Sequence, residues 1–190
     1  TRNLLKNLSK NQIIFYASTG SNYGSLDEVC TEESKLNPLT VYAKTKTTAE
    51  KLVMNRGNFM AFRFATAFGI SPRMRFDLTI NQFTNDLINN DGLEVYDPDT
   101  WRPYCHVNDF ARALEVILTV DKKTTNFEVF NVGGDRNNFT KKQIVEQIFK
   151  FLPSDKVSFT NKTRDARNYK VNFSKIYKTL NFKIKYSVSD

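Results

Sequence analysis

Residues 13–24 read Ile13-Ile14-Phe15-Tyr16-Ala17-Ser18-Thr19-Gly20-Ser21-Asn22-Tyr23-Gly24. The first five form a short, unbroken apolar run, the pattern of a strand buried on both faces in a parallel sheet. The run breaks directly into hydroxyls, glycines and an asparagine, so a loop is expected from Ser18 to about Pro38. Beyond it, Leu39 to Asn55 reads as a helix with an apolar face of Ala49, Leu52 and Val53, stopped by Gly57. Strand, loop and helix of these lengths are the building unit of an α/β sheet.

The alternation continues in both directions. Leu4, Leu5 and Leu8 recur at helical spacing, so residues 1–9 read as the end of a helix. Phe59 to Phe64 is the next strand, Leu78 to Ile88 a helix, and Leu93 to Tyr96 a short strand. Asn108 or Asp109 can cap a helix running to about Val120. Phe127 to Val132 is a strand that ends in the turn Gly133-Gly134-Asp135. Thr140 and Gln143 form a capping box for a helix through about Phe151. Val157 to Phe159 suits a strand and Ser174 to Leu180 a last short helix. No internal repeat or low-complexity linker interrupts the chain. The expected class is α/β, a parallel sheet followed after about residue 70 by a smaller mixed lobe.

The bulk properties narrow the function classes. Of 190 residues, 40% are apolar and 13% aromatic, which supports a real core and excludes a disordered chain. There is no apolar run of membrane-spanning length and no signal-peptide pattern, so a soluble cytoplasmic protein without a membrane partner is expected. Cys30 and Cys105 lie far apart without metal spacing. They read as free thiols of a reducing compartment, one disulfide staying open, and no metal site is expected. The net charge of +8 is unevenly placed: Lys141 to Asp190 holds 12 Lys and Arg against 4 Asp and Glu, and the first 140 residues balance. Such a basic region is either a solvated face or an attraction for a polyanion, a diphosphate sugar or nucleic acid.

The most informative stretch for chemistry is Tyr42-Ala43-Lys44-Thr45-Lys46. It places a phenol and an ammonium one helical turn apart on the same face. A neighbouring ammonium favours the phenolate, and a phenol so assisted can take a proton from a sugar hydroxyl near neutral pH. Alone, such a pair is more often a surface pair. Here it follows Ser18 and Thr19, hydroxyls at the carboxyl end of a parallel strand, where open α/β sheets bind ligands.

Together these segments resemble the extended short-chain dehydrogenases, the NAD-dependent epimerase/dehydratase group that acts on nucleotide sugars. Thr1-Arg2-Asn3-Leu4-Leu5 resembles the helix start before the catalytic strand. Ser18-Thr19 with Tyr23-Gly24 resembles the Ser/Thr segment, and Asn37-Pro38-Leu39-Thr40-Val41-Tyr42 with Lys46 the Pro-x-x-x-Tyr-x-x-x-Lys segment. Arg63-Phe64 with Gly69 resembles the following strand and turn. Arg102-Pro103-Tyr104-Cys105-His106-Val107-Asn108-Asp109 is similar to the Arg-x-x-x-His-Val-x-Asp segment, and Phe130-Asn131-Val132-Gly133 to the Phe-Asn-Val-Gly strand and turn.

The resemblance implies a Rossmann-like parallel sheet, present in its C-terminal part only. Residues 1–70 would be a partial dinucleotide-binding domain carrying the catalytic residues. Residues 71–190 would be mostly a substrate-binding lobe, with about 104–132 returning to the first domain. It implies NAD or NADP as cofactor, a nucleotide-diphosphate sugar as substrate and a homodimer. Tyr42 would be the base and acid, Lys46 would hold the nicotinamide ribose and lower the Tyr42 pKa, and Thr19 would bridge the sugar hydroxyl to Tyr42. Ser18, Phe64, Ala65 and Ala67 would line the cofactor, while Thr66, Leu78, Tyr96 and Arg102 would face the substrate. Arg102 would grip the diphosphate bidentately, with Lys162 or Arg167 as a second contact. His106, the single histidine, would start a helix, and Trp101 would pack near the substrate lobe.

Three departures matter. No Gly-x-x-Gly-x-x-Gly turn occurs, although that turn brings backbone close to the pyrophosphate. With no initiator Met and no room for strands before Ile13, a fragment lacking about one hundred N-terminal residues by family analogy is expected. It should bind NAD poorly and be inactive alone, and its last helix should be cut short. Second, Gly20 and Ser21 stand where 4,6-dehydratases carry Asp-Glu, and decarboxylases a Glu at the second position. Elimination is disfavoured and epimerisation or keto reduction favoured, so the expectation is an epimerase, with a ketoreductase or dehydratase as the alternative. Third, Thr66 replaces an Asn that touches the nucleotide. The remote alternative is an RNA-binding protein on the same fold. It is disfavoured because the C-terminal aromatics have core-like spacing rather than that of a stacking array.

Overall fold

The structure, a computed structural model, describes residues 1–89, 91–121, 126–162 and 165–190. It is α/β with mainly parallel pairing, the class expected from the sequence. The central sheet has the order β1-β3-β7, all parallel: β1 is Ile14–Thr19, β3 Phe59–Phe64 and β7 Glu128–Val132. Helix α1 (Arg2–Asn7) and the long α2 (Val41–Arg56) pack against one face. Helices α4 (Val107–Thr119) and α6 (Ser174–Leu180) cover the other.

β3 shows why the sheet is where it is. Its side chains alternate between two cores, as a period of two requires. Phe59 and Ala61 join Ile14, Val53 and Val129, while Met60 and Phe62 join Phe130, Ala113, Ile117 and Ile176. A strand apolar on both faces belongs in the middle of a covered sheet.

The second half builds smaller sheets. β4 (Thr66–Phe68) pairs in parallel with β6 (Trp101–His106), which pairs antiparallel with β8 (Asn138–Thr140). β5 (Leu93–Tyr96) pairs with β9 (Val157–Thr160), and β2 (Ser25–Cys30) with β10 (Asn168–Val171), both in parallel. Helices α3 (Thr79–Ile88) and α5 (Lys141–Phe149) enclose a core with Phe83, Val95, Tyr104 and Ile144. The capping box at Thr140 and Gln143 forms as expected.

Several local expectations need correction. The stretch from Ser18 to Pro38 is not all loop: a 3-10 turn at Gly20–Tyr23 leads into β2. α4 is capped by His106, whose Nδ1 accepts from the Asn108 backbone N–H at 3.1 Å, not by Asn108 or Asp109. The deepest stripe of α2 is Ala43, Thr47, Glu50 and Val53, whereas Ala49 and Leu52 are half-buried. Cys30 and Cys105 are free and buried, and burial pushes the Cys30 thiol up to about 11.

One glycine fixes the turn after β1. Gly24 has φ +74°, and a Cβ there would lie 1.9 Å from the Asn37 carbonyl oxygen. Gly24→Ala is therefore expected to destabilise the chain by more than about 1 kcal/mol. In thermal denaturation that is a fall of about 2–4 °C or more. An unchanged midpoint would mean the turn relaxes without cost.

Candidate active site

α2 starts where it does because Thr40 caps it, its Oγ1 accepting from the Ala43 N–H at 3.1 Å. Tyr42 thus lies in the first turn, 55% exposed, and Lys46 one turn further along the same face. The Lys46 ammonium crosses to β1, where it donates to the Ala17 carbonyl and lies 4.9 Å from the Tyr16 ring centroid. Tyr16 Oη returns a hydrogen bond to the Lys46 carbonyl at 3.2 Å. Helix and strand are tied together around this lysine. Burial lowers the Lys46 pKa against the opposing pull of Glu50. Burial, followed by the charges of Glu50 and Tyr42, pushes the Tyr16 phenol up to about 12, so it stays neutral at physiological pH.

Thr19 ends β1. Its Oγ1 accepts from the Ser21 N–H at 3.2 Å, which leaves its own O–H free to donate. In register, Thr19 sits beside Phe64 and Phe64 beside Val132, so the three strand ends form one carboxyl edge. The Phe64 ring stands edge-on to Phe110 at 4.7 Å. Ala65 is packed into the core and donates its N–H to the Val132 carbonyl at 3.0 Å. Thr66 and Ala67 are half-buried in β4, beside Tyr104 and Cys105. Leu78, half-buried, is the residue before α3.

Ser18 faces the opposite side of the sheet from Thr19, since neighbouring side chains of a strand alternate. It is buried, donates to Glu50 and accepts from Asn22 Nδ2 at 3.0 Å. It thus enters a polar network that the sequence reading did not find. Arg63 Nη2 grips Glu50 Oε1 at 2.7 Å and its Nε reaches both carboxylate oxygens; the two residues are 5% and 1% exposed. Arg63 Nη1 also donates to Tyr23 Oη at 3.0 Å, and Tyr23 donates to Asn131 Oδ1 at 2.7 Å. Burial, although opposed by Arg63, pushes the Tyr23 phenol up to about 12. The available signal was Arg63 itself: a lone arginine inside Phe59-Met60-Ala61-Phe62-Arg63-Phe64 requires a buried partner.

A second cluster gathers cations around one carboxylate. Asp165 takes Nε and Nη2 of Arg167 at 2.8 and 2.6 Å and lies 3.1 Å from Arg102 Nη2. The Arg102 contact lacks hydrogen-bond alignment, so this buried Nη2 has no hydrogen-bond partner. Arg102 Nη1 donates to the Trp101 carbonyl at 2.7 Å, and its guanidinium lies 5.3 Å from the Tyr169 ring centroid. Burial lowers the Lys141 pKa, with Arg102 adding to the effect. Lys141 donates to the Tyr96 carbonyl at 2.7 Å, and Tyr96 Oη donates to Glu94. Burial alone would raise the Asp165 carboxyl, but the Arg167 hydrogen bonds and the charges of both arginines hold it well below the carboxylate range. Arg167 Nη1 donates to Ser21 Oγ at 2.9 Å, which joins this cluster to the end of β1. Lys162 is exposed and Trp101 carries Lys170 Nζ 3.6 Å above its ring. Among the described residues, no group of three or more His, Cys, Asp or Glu could hold a metal ion. No helix among them is long and apolar enough to cross a membrane.

The profile of the NAD dependent epimerase/dehydratase family matches residues 1–133. The UDP-glucuronate 4-epimerase of Thermodesulfobacterium geofontis is 26% identical over 156 residues, which covers 78% of this chain and 46% of that protein. An uncharacterized UDP-glucose epimerase of Bacillus subtilis, YtcB, is 29% identical over 129 residues, or 65% of this chain and 40% of that protein. Among solved structures, the dTDP-glucose 4,6-dehydratase of Bacillus anthracis in complex with NAD superimposes with a TM-score of 0.84 at 25% identity, covering 98% of this chain and 61% of that one. The UDP-glucuronic acid 4-epimerase of Bacillus cereus, in complex with UDP-glucuronic acid and NAD, gives 0.83 at 23% identity over 95% and 60%, a likeness of fold. The chain spans less than half the length of these curated relatives.

Proposed function

The chain belongs to the NAD dependent epimerase/dehydratase family, and from that premise we propose that the full-length protein is a nucleotide-sugar epimerase that transiently oxidises one sugar hydroxyl. The observation that carries this reading is the meeting of α2 with β1: an exposed phenol at Tyr42, an ammonium at Lys46 held against the strand, and a free O–H at Thr19.

The donor set suits the nicotinamide-ribose end of NAD. An ammonium has three N–H donors; Lys46 commits one to Ala17, and the others can meet ribose hydroxyls. Half-buried Phe64 and Ala67 offer apolar surface nearby. Bound NAD would supply a hydride acceptor that can also give the hydride back. The chain's own residues would handle protons and position. Thr19 donates to the sugar oxygen, Tyr42 takes the hydroxyl proton, and the sugar becomes a ketone. After the ketone turns in the cleft, Tyr42 returns the proton and the carbon is inverted. Arg102 and Lys141 would meet the diphosphate, where the uncommitted Nη2 of Arg102 can hydrogen-bond a phosphate oxygen.

Gly20 and Ser21 offer no carboxyl for water elimination, which favours epimerisation over dehydration. The buried free thiols of Cys30 and Cys105 suit a reducing compartment such as the cytoplasm. The test is a product and cofactor balance on the full-length protein. Epimer formation without net consumption of NADH or NADPH is the expected result. One-for-one consumption would make the enzyme a ketoreductase.

A further inference from the structure

We propose that Tyr16 is a positioning residue for Lys46: its ring and hydroxyl hold the lysine ready for the nicotinamide ribose without cancelling its charge. This rests on the role given to Lys46 above and adds the residue that fixes it.

Tyr16 meets Lys46 at both ends. Its hydroxyl donates to the Lys46 carbonyl at 3.2 Å, and the Lys46 ammonium lies 4.9 Å from the centroid of its ring. The first contact ties the backbone of α2 to β1. The second directs the lysine side chain along the strand, so that the ammonium ends on the carbonyl of Ala17, the next residue of β1. The ring is itself supported, because Tyr16 packs against the core cluster of Ile14, Val53, Phe59, Ala61 and Val129. An unsupported lysine samples many rotamers, and a fixed rest removes most of that freedom before the cofactor arrives.

The partners are neutral, and that matters for the chemistry. Glu50 lies one turn beyond Lys46 on α2, but its carboxylate is taken by Arg63, Ser18 and Asn22. Among the described residues Lys46 forms no ion pair. A carboxylate beneath the ammonium would hold it and also cancel its charge. A ring face and a carbonyl hold it through a quadrupole and a dipole and leave the full charge for the ligand. Burial pushes the Tyr16 phenol up to about 12, so no anion forms beside the lysine.

The test reads the Kd of NAD for the full-length protein by titration calorimetry. Tyr16→Leu, or Tyr16→Met should the first fold poorly, is expected to weaken NAD about 3- to 10-fold, within the worth of one cation–π contact. Tyr16→Phe keeps the ring and should stay within about twofold of the wild type. Lys46→Met should weaken NAD as well, and adding Tyr16→Leu to it should cost nothing more. An unchanged Kd in Tyr16→Leu, or an equal loss in Tyr16→Phe, overturns the proposal. So does an equal further loss in the Lys46→Met background, since Tyr16 would then act through the fold at large. Turnover is scored apart: if the variants follow this pattern in a protein that epimerises no nucleotide sugar, the epimerase reading fails and the role of Tyr16 stands.

Discussion

Replacing Tyr42 with phenylalanine is expected to lower kcat of the full-length protein by about 10²- to 10⁴-fold, the usual worth of a positioned acid or base. The fold should not notice. The side chain is 55% exposed, and α2 is capped by Thr40 rather than by the phenol. Surface substitutions of this kind stay within about 0.5 kcal/mol. KM should change little, because the lost proton acceptor acts mainly in the transition state. The measurement is steady-state turnover beside a thermal melt of the same preparation. Full activity in Tyr42→Phe would remove the phenol from the mechanism.

The second large effect is on stability. Arg63→Met is expected to cost about 3–5 kcal/mol, the price of leaving one buried charge without its partner. For a domain of this size that is a fall in Tm of about 6–20 °C. The Glu50 carboxylate would keep Ser18 and Asn22 but lose the guanidinium, and Tyr23 would lose a donor. Glu50 lies one turn beyond Lys46 on α2, so the same pair also sets how the helix presents Lys46 and Tyr42 to β1. Denaturant melts of Arg63→Met and of the double variant Glu50→Leu/Arg63→Met check this. The double variant should recover part of the loss, since it removes both charges. A loss below about 1 kcal/mol in the single variant would show that water reaches the pair.

The parts legible in the sequence share one physical property: their environment is uniform along the segment. Ile13 to Ala17 and Phe59 to Phe64 are apolar because both faces of those strands are covered, and the α/β class followed from them. The capping box of Thr140 and Gln143 was readable because its chemistry is local. What stayed hidden depends on contacts distant in sequence. β10 is polar and finds β2 far along the chain, and β6 carries Pro103, a residue that argues against a strand. The inward stripe of α2 includes Thr47 and Glu50, which read as solvent positions until Arg63 is seen to meet Glu50. The candidate residues Tyr42 and Lys46 were visible by their spacing, and Thr19 by its place at the end of an apolar strand. The carboxylate that draws Arg102 and Arg167 together was not, because Asp165 looks like any surface aspartate until the fold brings β6 beside it.

In the mechanism proposed for the full-length protein, a sugar carbon is oxidised and reduced again by a hydride that never enters water, and Tyr42 handles only the hydroxyl proton. The direct measurement is turnover of a nucleotide sugar by the full-length protein in D2O, with the product read by NMR and mass spectrometry. The expected product has an inverted carbon whose hydrogen comes from the substrate, with no carbon-bound deuterium. Deuterium on that carbon would contradict it, since the hydrogen would then have left as a proton.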